Sequence, residues 1–422
     1  MPVHVVVIGA GIAGAATAVE LLRDGHRVTI LEPGEPGGEQ AASYGNGAWL
    51  STASVVPVAM PGLWKKLPGY LRDPLGPLAI RWSYLPRLAP WLAYFLRAGS
   101  SVKKVEATAR ALRPLIADAP ERHRRLAEEA GVPDLIERRG LLYVFPSRAD
   151  FEADSLAWRL RAENGVRWLE LDEDELRQRE PALDRRYTFG LIVEDGGHCT
   201  DPGGYVAALV EYARRRGAIL RRERALGFRI ENRRLQAVRT DGGEIAAEKA
   251  VIAAGSWSKP LAREAGDHVL LETERGYHVE IADPGTGPRQ PIMPSDMHTA
   301  TTLTRNGLRI AGQVELAGHK AAPNWKRAEI LRDYALDAWP GLPRDLPPER
   351  IKFWMGHRPS TPDGLPCIGT ASATQDVVHA FGHGHIGLAS GAITGRLAAD
   401  LISEKEPTIA LAPYAPQRFR RR

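Results

Sequence analysis

The first fourteen residues constrain this chain more than any other segment. A short β-branched run, Val3 to Ile8, leads directly into Gly9-Ala10-Gly11-Ile12-Ala13-Gly14, which opens a small-residue helical stretch from about Ile12 to Arg23. A second apolar run, Arg27 to Leu31, ends at Glu32. Strand, glycine turn, helix and strand in this order predict a βαβ unit that grips a dinucleotide. Gly9 permits the tight turn, Gly11 lets the backbone approach a pyrophosphate, and Gly14 lets the helix pack close to the sheet. Free amides at the helix start, favoured by the helix dipole, face the phosphates. Glu32 is placed to accept from ribose hydroxyls and opposes a 2′-phosphate, which disfavours NADP. The pattern alone does not separate NAD from FAD.

At 422 residues the chain exceeds the size at which one core usually stops growing, so two domains are expected. Its 44% hydrophobic and 25% charged residues exclude a disordered or fibrous class. No stretch approaches the ~18 uninterrupted apolar residues of a membrane span, and Met1 leads into the first strand without a basic, cleavable leader. Both point to the cytoplasm. The two cysteines, Cys199 and Cys367, lie far apart and suggest neither a disulfide framework nor a zinc site; Cys367 reads as a buried, unreactive thiol. The net charge of +5 arises from 56 basic and 51 acidic residues, so charges of both signs are interspersed. The clusters Arg214-Arg215-Arg216, Arg221-Arg222 and Arg420-Arg421-Arg422 raise a nucleic-acid or tRNA-modifying alternative, but they sit at a helix end and a chain tail and no RNA-binding module accompanies them. No nucleic acid is expected.

Between about Trp49 and Ala98 prolines, including Pro57, Pro68, Pro74, Pro77 and Pro90, interleave with aromatic residues and predict short, broken helices. Lys65, Lys66, Arg72, Arg81, Arg87 and Arg97 make this stretch either a cover for the substrate domain or a surface beside a membrane quinone pool at the inner face of the cytoplasmic membrane. Helices are expected over Val102 to Glu129, Phe151 to Arg161, Pro202 to Arg216 behind the cap Asp201, Arg327 to Trp339, and Ala392 to Ile402. Strands are expected at Gly140 to Phe145, Lys249 to Ala254, Val269 to Ile281, His298 to Gln313 and Val377 to Ala380, with a hairpin turn at Glu231 to Arg234 and further turns at Asp241-Gly242 and Asn306-Gly307.

Later segments favour FAD. Ala250 to Ala254, followed by Gly255-Ser256-Trp257, resembles the second strand and glycine turn of the glutathione-reductase-type FAD fold. Phe381-Gly382-His383-Gly384-His385-Ile386-Gly387 precedes a helix, as in the turn that aims amides at the flavin. Together with Ser43-Tyr44-Gly45-Asn46-Gly47 and the stretch Trp354 to Pro366, these motifs resemble the D-amino-acid oxidase superfamily and are most similar to its bacterial D-amino-acid dehydrogenase (small subunit) branch. The resemblance covers most of the chain and is weakest from about Ala98 to Glu194. It implies an α/β fold with a glutathione-reductase-type Rossmann domain, assigned to 1–48, 195–262 and 351–410. It also implies a second α+β substrate domain on an antiparallel sheet, assigned to 49–194 and 263–350, and leaves 411–422 as a basic tail.

The resemblance further implies noncovalent FAD and oxidative deamination of D-amino acids to 2-oxo acids and ammonia, by hydride transfer to the flavin. Electrons would pass to a quinone or respiratory acceptor. The alternative is oxidation of a cyclic or secondary amino acid (cis-4-hydroxy-D-proline, D-proline, sarcosine or glycine), or an oxygen-using oxidase. Carried over by position, Arg358 clamps the substrate carboxylate through its planar fork, and Tyr277 is a candidate for a second hydrogen bond to it. Ser43, Asn46 and Gly47 lie around the flavin and pyrophosphate. Ala225 and Leu226 supply backbone contacts to adenine, and Ala254, Gly255, Trp257 and Gly356 complete the cofactor set. Gly382, His383, Gly384, His385, Ile386 and Gly387 shape the flavin loop. Hydride transfer requires a neutral amine and correct placement, so the histidines are read first as structural, with His385 and His298 as candidate substrate contacts. No metal is expected, since no third ligand accompanies His383 and His385.

Overall fold

In the computed structural model, which describes residues 2–65, 69, 75, 76 and 78–420, the β-branched runs assemble into a six-stranded sheet. Its spatial order is Ile219–Arg221, Arg27–Leu31, His4–Ile8, Lys249–Ile252, Val377–Phe381 and Cys367–Thr370. The first five strands are parallel and the last antiparallel. Val5, Val7 and Val251 face the helices Ile12–Arg23, Pro202–Arg215 and Gly387–Ile402 across one core, while Val6, Ile8 and Ile252 pack on the opposite side. Burial on both faces explains why these strands read as continuous apolar runs.

The second large sheet has nine strands among the described residues and is mixed in direction. Ile351–Ser360, Glu272–Ile281 and Gly307–Leu316 run antiparallel along one end of it, and Ile292–Pro294 joins Leu141–Phe145 in parallel. The helix Lys326–Ala338 covers this sheet with Ala328, Leu331 and Ala335. The hairpin turn comes at Asn232 and Arg233, both at positive φ, as a two-residue turn between twisted strands requires.

Three helical expectations are corrected. Val102 to Glu129 divides into Val102–Ile116 and Ala119–Ala130, because Pro120 suits only a first turn. Phe151 to Arg161 divides at Asp154 into Arg148–Ala153 and Ser155–Glu163. Leu85–Ala98, conversely, is one helix despite Pro90. Pro90 lies on its exposed face, while Trp91 and Phe95 stack at 4.9 Å on the buried one. Pro68, Pro74, Pro77, Lys66 and Arg72 lie outside the described residues, as do Arg421 and Arg422.

The segment read as a basic tail is packed: Tyr414 and Phe419 are buried, and Arg418 pairs with Asp363 at 2.8 Å. Two of the other basic clusters are also partnered, with Arg214 on Glu211, Arg221 on Glu223 and Arg222 on Glu35. Among the described residues no helix is long and apolar enough to cross a membrane.

The glycine turn is held in place by a close helix crossing. A Cβ at Gly395 would lie 2.6 Å from the backbone carbon of Ala16, and one at Gly391 would lie 2.5 Å from Ile12. Gly395→Leu should therefore force the final helix away from the first one and cost about 1–3 kcal/mol through overpacking. Denaturant titration reads the loss, and cofactor retention should fall with it.

Candidate active site

A single cavity of about 1540 Å³ runs between the two large sheets. Ligand pockets for drug-sized molecules are usually ~300–1,000 Å³, so there is room for a dinucleotide and a second, smaller molecule. At one end lies the glycine turn. Gly9 has φ +103, and a Cβ there would sit 2.6 Å from the Ala253 carbonyl oxygen. Gly11 caps the first helix without a side-chain bond of its own; the Ile12 amide goes to Ser43, and the amides of Gly11 and Ala13 are left for another acceptor. Glu32 accepts from the Ala10 amide at 2.9 Å and the Gly34 amide at 3.0 Å, which fixes its carboxylate at the cavity wall.

Ser43, Asn46 and Gly47 also line the cavity, and the segment carrying them is clamped from outside. Arg309 donates to the Tyr44 and Asn46 carbonyls, His278 Nδ1 donates to Gly45 at 3.0 Å, and Thr302 donates to Gly47. Trp354 stacks on His278 at 5.0 Å and covers the faces of Gly45 and Gly356. Burial pushes the His278 imidazole down to about 3, so it stays neutral with its proton on the carbonyl side. Thus held, Ser43 Oγ meets the Ile12 amide at 3.0 Å, at the mouth of the first helix.

Ala225, Leu226, Ala254, Gly255 and Trp257 lie on the same wall, Trp257 58% exposed and stacked on His319 at 4.1 Å. His383, Gly384, His385 and Gly387 line the opposite part. His383 is buried against Thr394 at 2.9 Å, and burial takes its pKa down to about 4. Four expected contacts do not reach the cavity. Ala10 turns its amide to Glu32, Gly14 packs its backbone on Gly9, Gly382 packs on Thr361, and Ile386 points into the core.

Arg358 lies across the cavity from the glycine turn's strand ends, with its guanidinium flat against Gly276. A Cβ on Gly276 would lie 2.2 Å from Arg358 Cζ, so only glycine leaves space. Nη1 donates to the Gln313 carbonyl at 2.9 Å and Nη2 to Gly312 at 3.3 Å. These bonds orient the fork and leave further donors available. Burial lowers the guanidinium pKa and the neighbouring Glu274 opposes that shift.

Tyr277 is a correction. Side chains alternate along Glu272–Ile281, so Tyr277 points away from the face shared by Gly276 and Arg358. Its hydroxyl donates to Glu315 at 2.6 Å and accepts from the Asn324 amide. His298 does line the cavity, at positive φ. Sequence reasoning missed Glu274, Trp354, His278 and Arg309. Cross-strand register was the missing signal, since Glu274 is opposite Arg358 and His278 opposite Trp354. Both cysteines are buried, which pushes the Cys199 thiol up to about 12 and Cys367 to about 11. Among the described residues no cluster could hold a metal ion.

Residues 4–401 match the family described as FAD dependent oxidoreductase, DAO. The chain is 60% identical over 416 residues to the D-amino-acid oxidase of Bradyrhizobium diazoefficiens, covering 99% of each chain. It is 31% identical over 425 residues to a D-amino acid dehydrogenase of Methylobacterium sp., again with 99% of each covered. Among solved structures, glycine oxidase from Geobacillus kaustophilus superposes with a TM-score of 0.71 at 23% identity, over 99% of this chain and 100% of that one. L-proline dehydrogenase from P. horikoshii gives 0.72 at 20% identity, over 99% and 98%. The glycine turn, the fixed Glu32 carboxylate and the volume of the cavity fit a flavin dinucleotide, and the chain belongs to the DAO family of FAD-dependent oxidoreductases.

Proposed function

We propose that this enzyme oxidises the Cα–N bond of D-amino acids with apolar side chains, giving an imino acid that water hydrolyses to a 2-oxo acid and ammonia. The observation that carries this reading is Arg358, a guanidinium oriented by two carbonyls and open to a cavity that is otherwise largely apolar. Its free donors suit a carboxylate, which it would hold bidentately. Met60, Leu63, Met293 and Met297, which also line the cavity, suit an apolar side chain. Bound FAD supplies the two-electron acceptor for the hydride that leaves the substrate α-carbon. The names of the two sequence relatives support the D-amino-acid class.

Glu32, Ser43 and the amides of Gly11 and Ala13 would hold the dinucleotide, while Arg358 fixes the substrate and the apolar wall excludes water. Electrons then pass to a quinone or respiratory acceptor. A second reading, with oxygen as acceptor, is favoured by the name oxidase on the 60%-identical relative. Comparing turnover in air-saturated buffer with turnover on a soluble quinone under argon separates the two.

Three outcomes are expected. In an anaerobic panel, apolar D-amino acids should bleach the flavin, whereas their L-enantiomers, glycine, sarcosine and D-proline should not; bleaching by L-enantiomers alone would remove the assignment. Arg358→Met should retain the flavin spectrum yet lose about 10²- to 10⁴-fold in kcat/KM, the value of two charge-assisted hydrogen bonds, with Arg358→Lys intermediate. Gly276→Ala should raise KM without reducing flavin content, because the new methyl displaces the guanidinium.

A further inference from the structure

Glu274 has no part in the reading above, yet it sits where that reading lacks a component. The carboxyl is 5% exposed, is the cross-strand neighbour of Arg358, and approaches His385 Nε2 with Oε2 at 3.5 Å. Glu274 Oε2 is buried without a hydrogen-bond partner. It does not occupy Arg358, whose guanidinium donates to the Gln313 and Gly312 carbonyls. Behind it, among the described residues, lie apolar side chains that include Trp91, Phe95 and Leu316. A buried carboxyl with an open acceptor is costly unless a cation or donor completes it.

The groups that face it define what that donor is. His385 comes from the loop before the last helix and Arg358 from the adjacent strand, and two charged groups, Glu274 and Arg358, act on the His385 ring. The His385 side chain is 41% exposed, towards the cavity that it lines. With Nε2 turned to Glu274, Nδ1 forms no hydrogen bond among the described residues. Partial desolvation lowers the imidazole pKa, Glu274 raises it and Arg358 lowers it, so Glu274 is the group that would stabilise the protonated ring.

An amino acid arrives as an ammonium, and only the neutral amine can release hydride. We propose that Glu274 is a positioning residue that orients His385 and stabilises its imidazolium, so that Nδ1 takes the proton from the substrate ammonium. In this step one N–H bond of the ammonium breaks, its electron pair stays on the amine nitrogen, and one N–H bond forms at Nδ1. No oxidant is involved. The inference rests on the proposed amino-acid substrate, and it makes His385 a base, with Glu274 acting through it.

The test compares holoenzyme carrying Glu274→Gln, Glu274→Asp and His385→Gln with wild type. In Glu274→Gln the rate of anaerobic flavin reduction should fall roughly tenfold or more at neutral pH, about one pKa unit of lost base strength. It should recover at alkaline pH, where the substrate amine is already neutral. KM should not rise, because Arg358 is intact, and Glu274→Asp should restore part of the neutral-pH rate. Histidine-labelled enzyme without substrate gives a separate reading: the His385 resonance, assigned by its loss in His385→Gln, should titrate at lower pH in Glu274→Gln. A pH profile superposing on wild type, or an unshifted His385 titration, overturns the proposal. Should Glu274→Gln not fold, His385→Gln carries the kinetic test, and an unchanged pH profile in it is equally fatal. If no D-amino acid reduces the wild-type flavin, the substrate assignment fails, while the titration still decides whether Glu274 governs His385.

Discussion

One strand, Glu272–Ile281, buries every residue it contains, including Glu272, Glu274, Arg275, His278 and Glu280. Charges taken out of water must be matched, and truncating one partner of a buried pair costs ~3–5 kcal/mol. The matches come from all over the chain. Lys259 and Tyr84 meet Glu272, Glu315 meets Arg275, the Gly45 carbonyl meets His278, and Arg309 meets Glu280. Glu274 faces Arg358 and His385. The need to satisfy this strand therefore gathers the loop at 43–47, the turn after the fourth parallel strand and the loop before the last helix around one cavity.

This arrangement links packing to chemistry. A guanidinium can lie inside the sheet because Gly276 leaves a flat backbone beneath it and two carbonyls share its charge. The same alternation that turns Gly276 and Glu274 towards Arg358 turns Tyr277 and Arg275 the other way, onto Glu315. Function and stability are thus divided between two faces of one strand. The segment at 43–47 is treated similarly: Arg309, His278 and Thr302 hold its carbonyls from behind, so that Ser43 meets the first helix from the front.

Local rules made much of this legible. The glycine turn, its flanking strands and Glu32 followed from steric and dipole arguments that need no distant neighbour, and so did the Asn232-Arg233 hairpin and the Asp201 cap. Helix lengths were less secure where a proline or a single aspartate divided a continuous apolar pattern, as at Pro120 and Asp154. Pro90 shows the opposite case, in which stacked Trp91 and Phe95 hold a helix through a proline on its exposed side.

What the sequence determined by itself was the dinucleotide grip, since a turn of three glycines between strand and helix has few other stable uses. Resemblance to a known family added Arg358 as a candidate, and the structure puts it on the cavity lining. Which side chains face Arg358 was decided by tertiary structure alone. Strand register sets that choice, and a shift of one residue would have exchanged Glu274 and Gly276 for Arg275 and Tyr277. Register depends on pairing between segments far apart in the chain, and no local propensity records it.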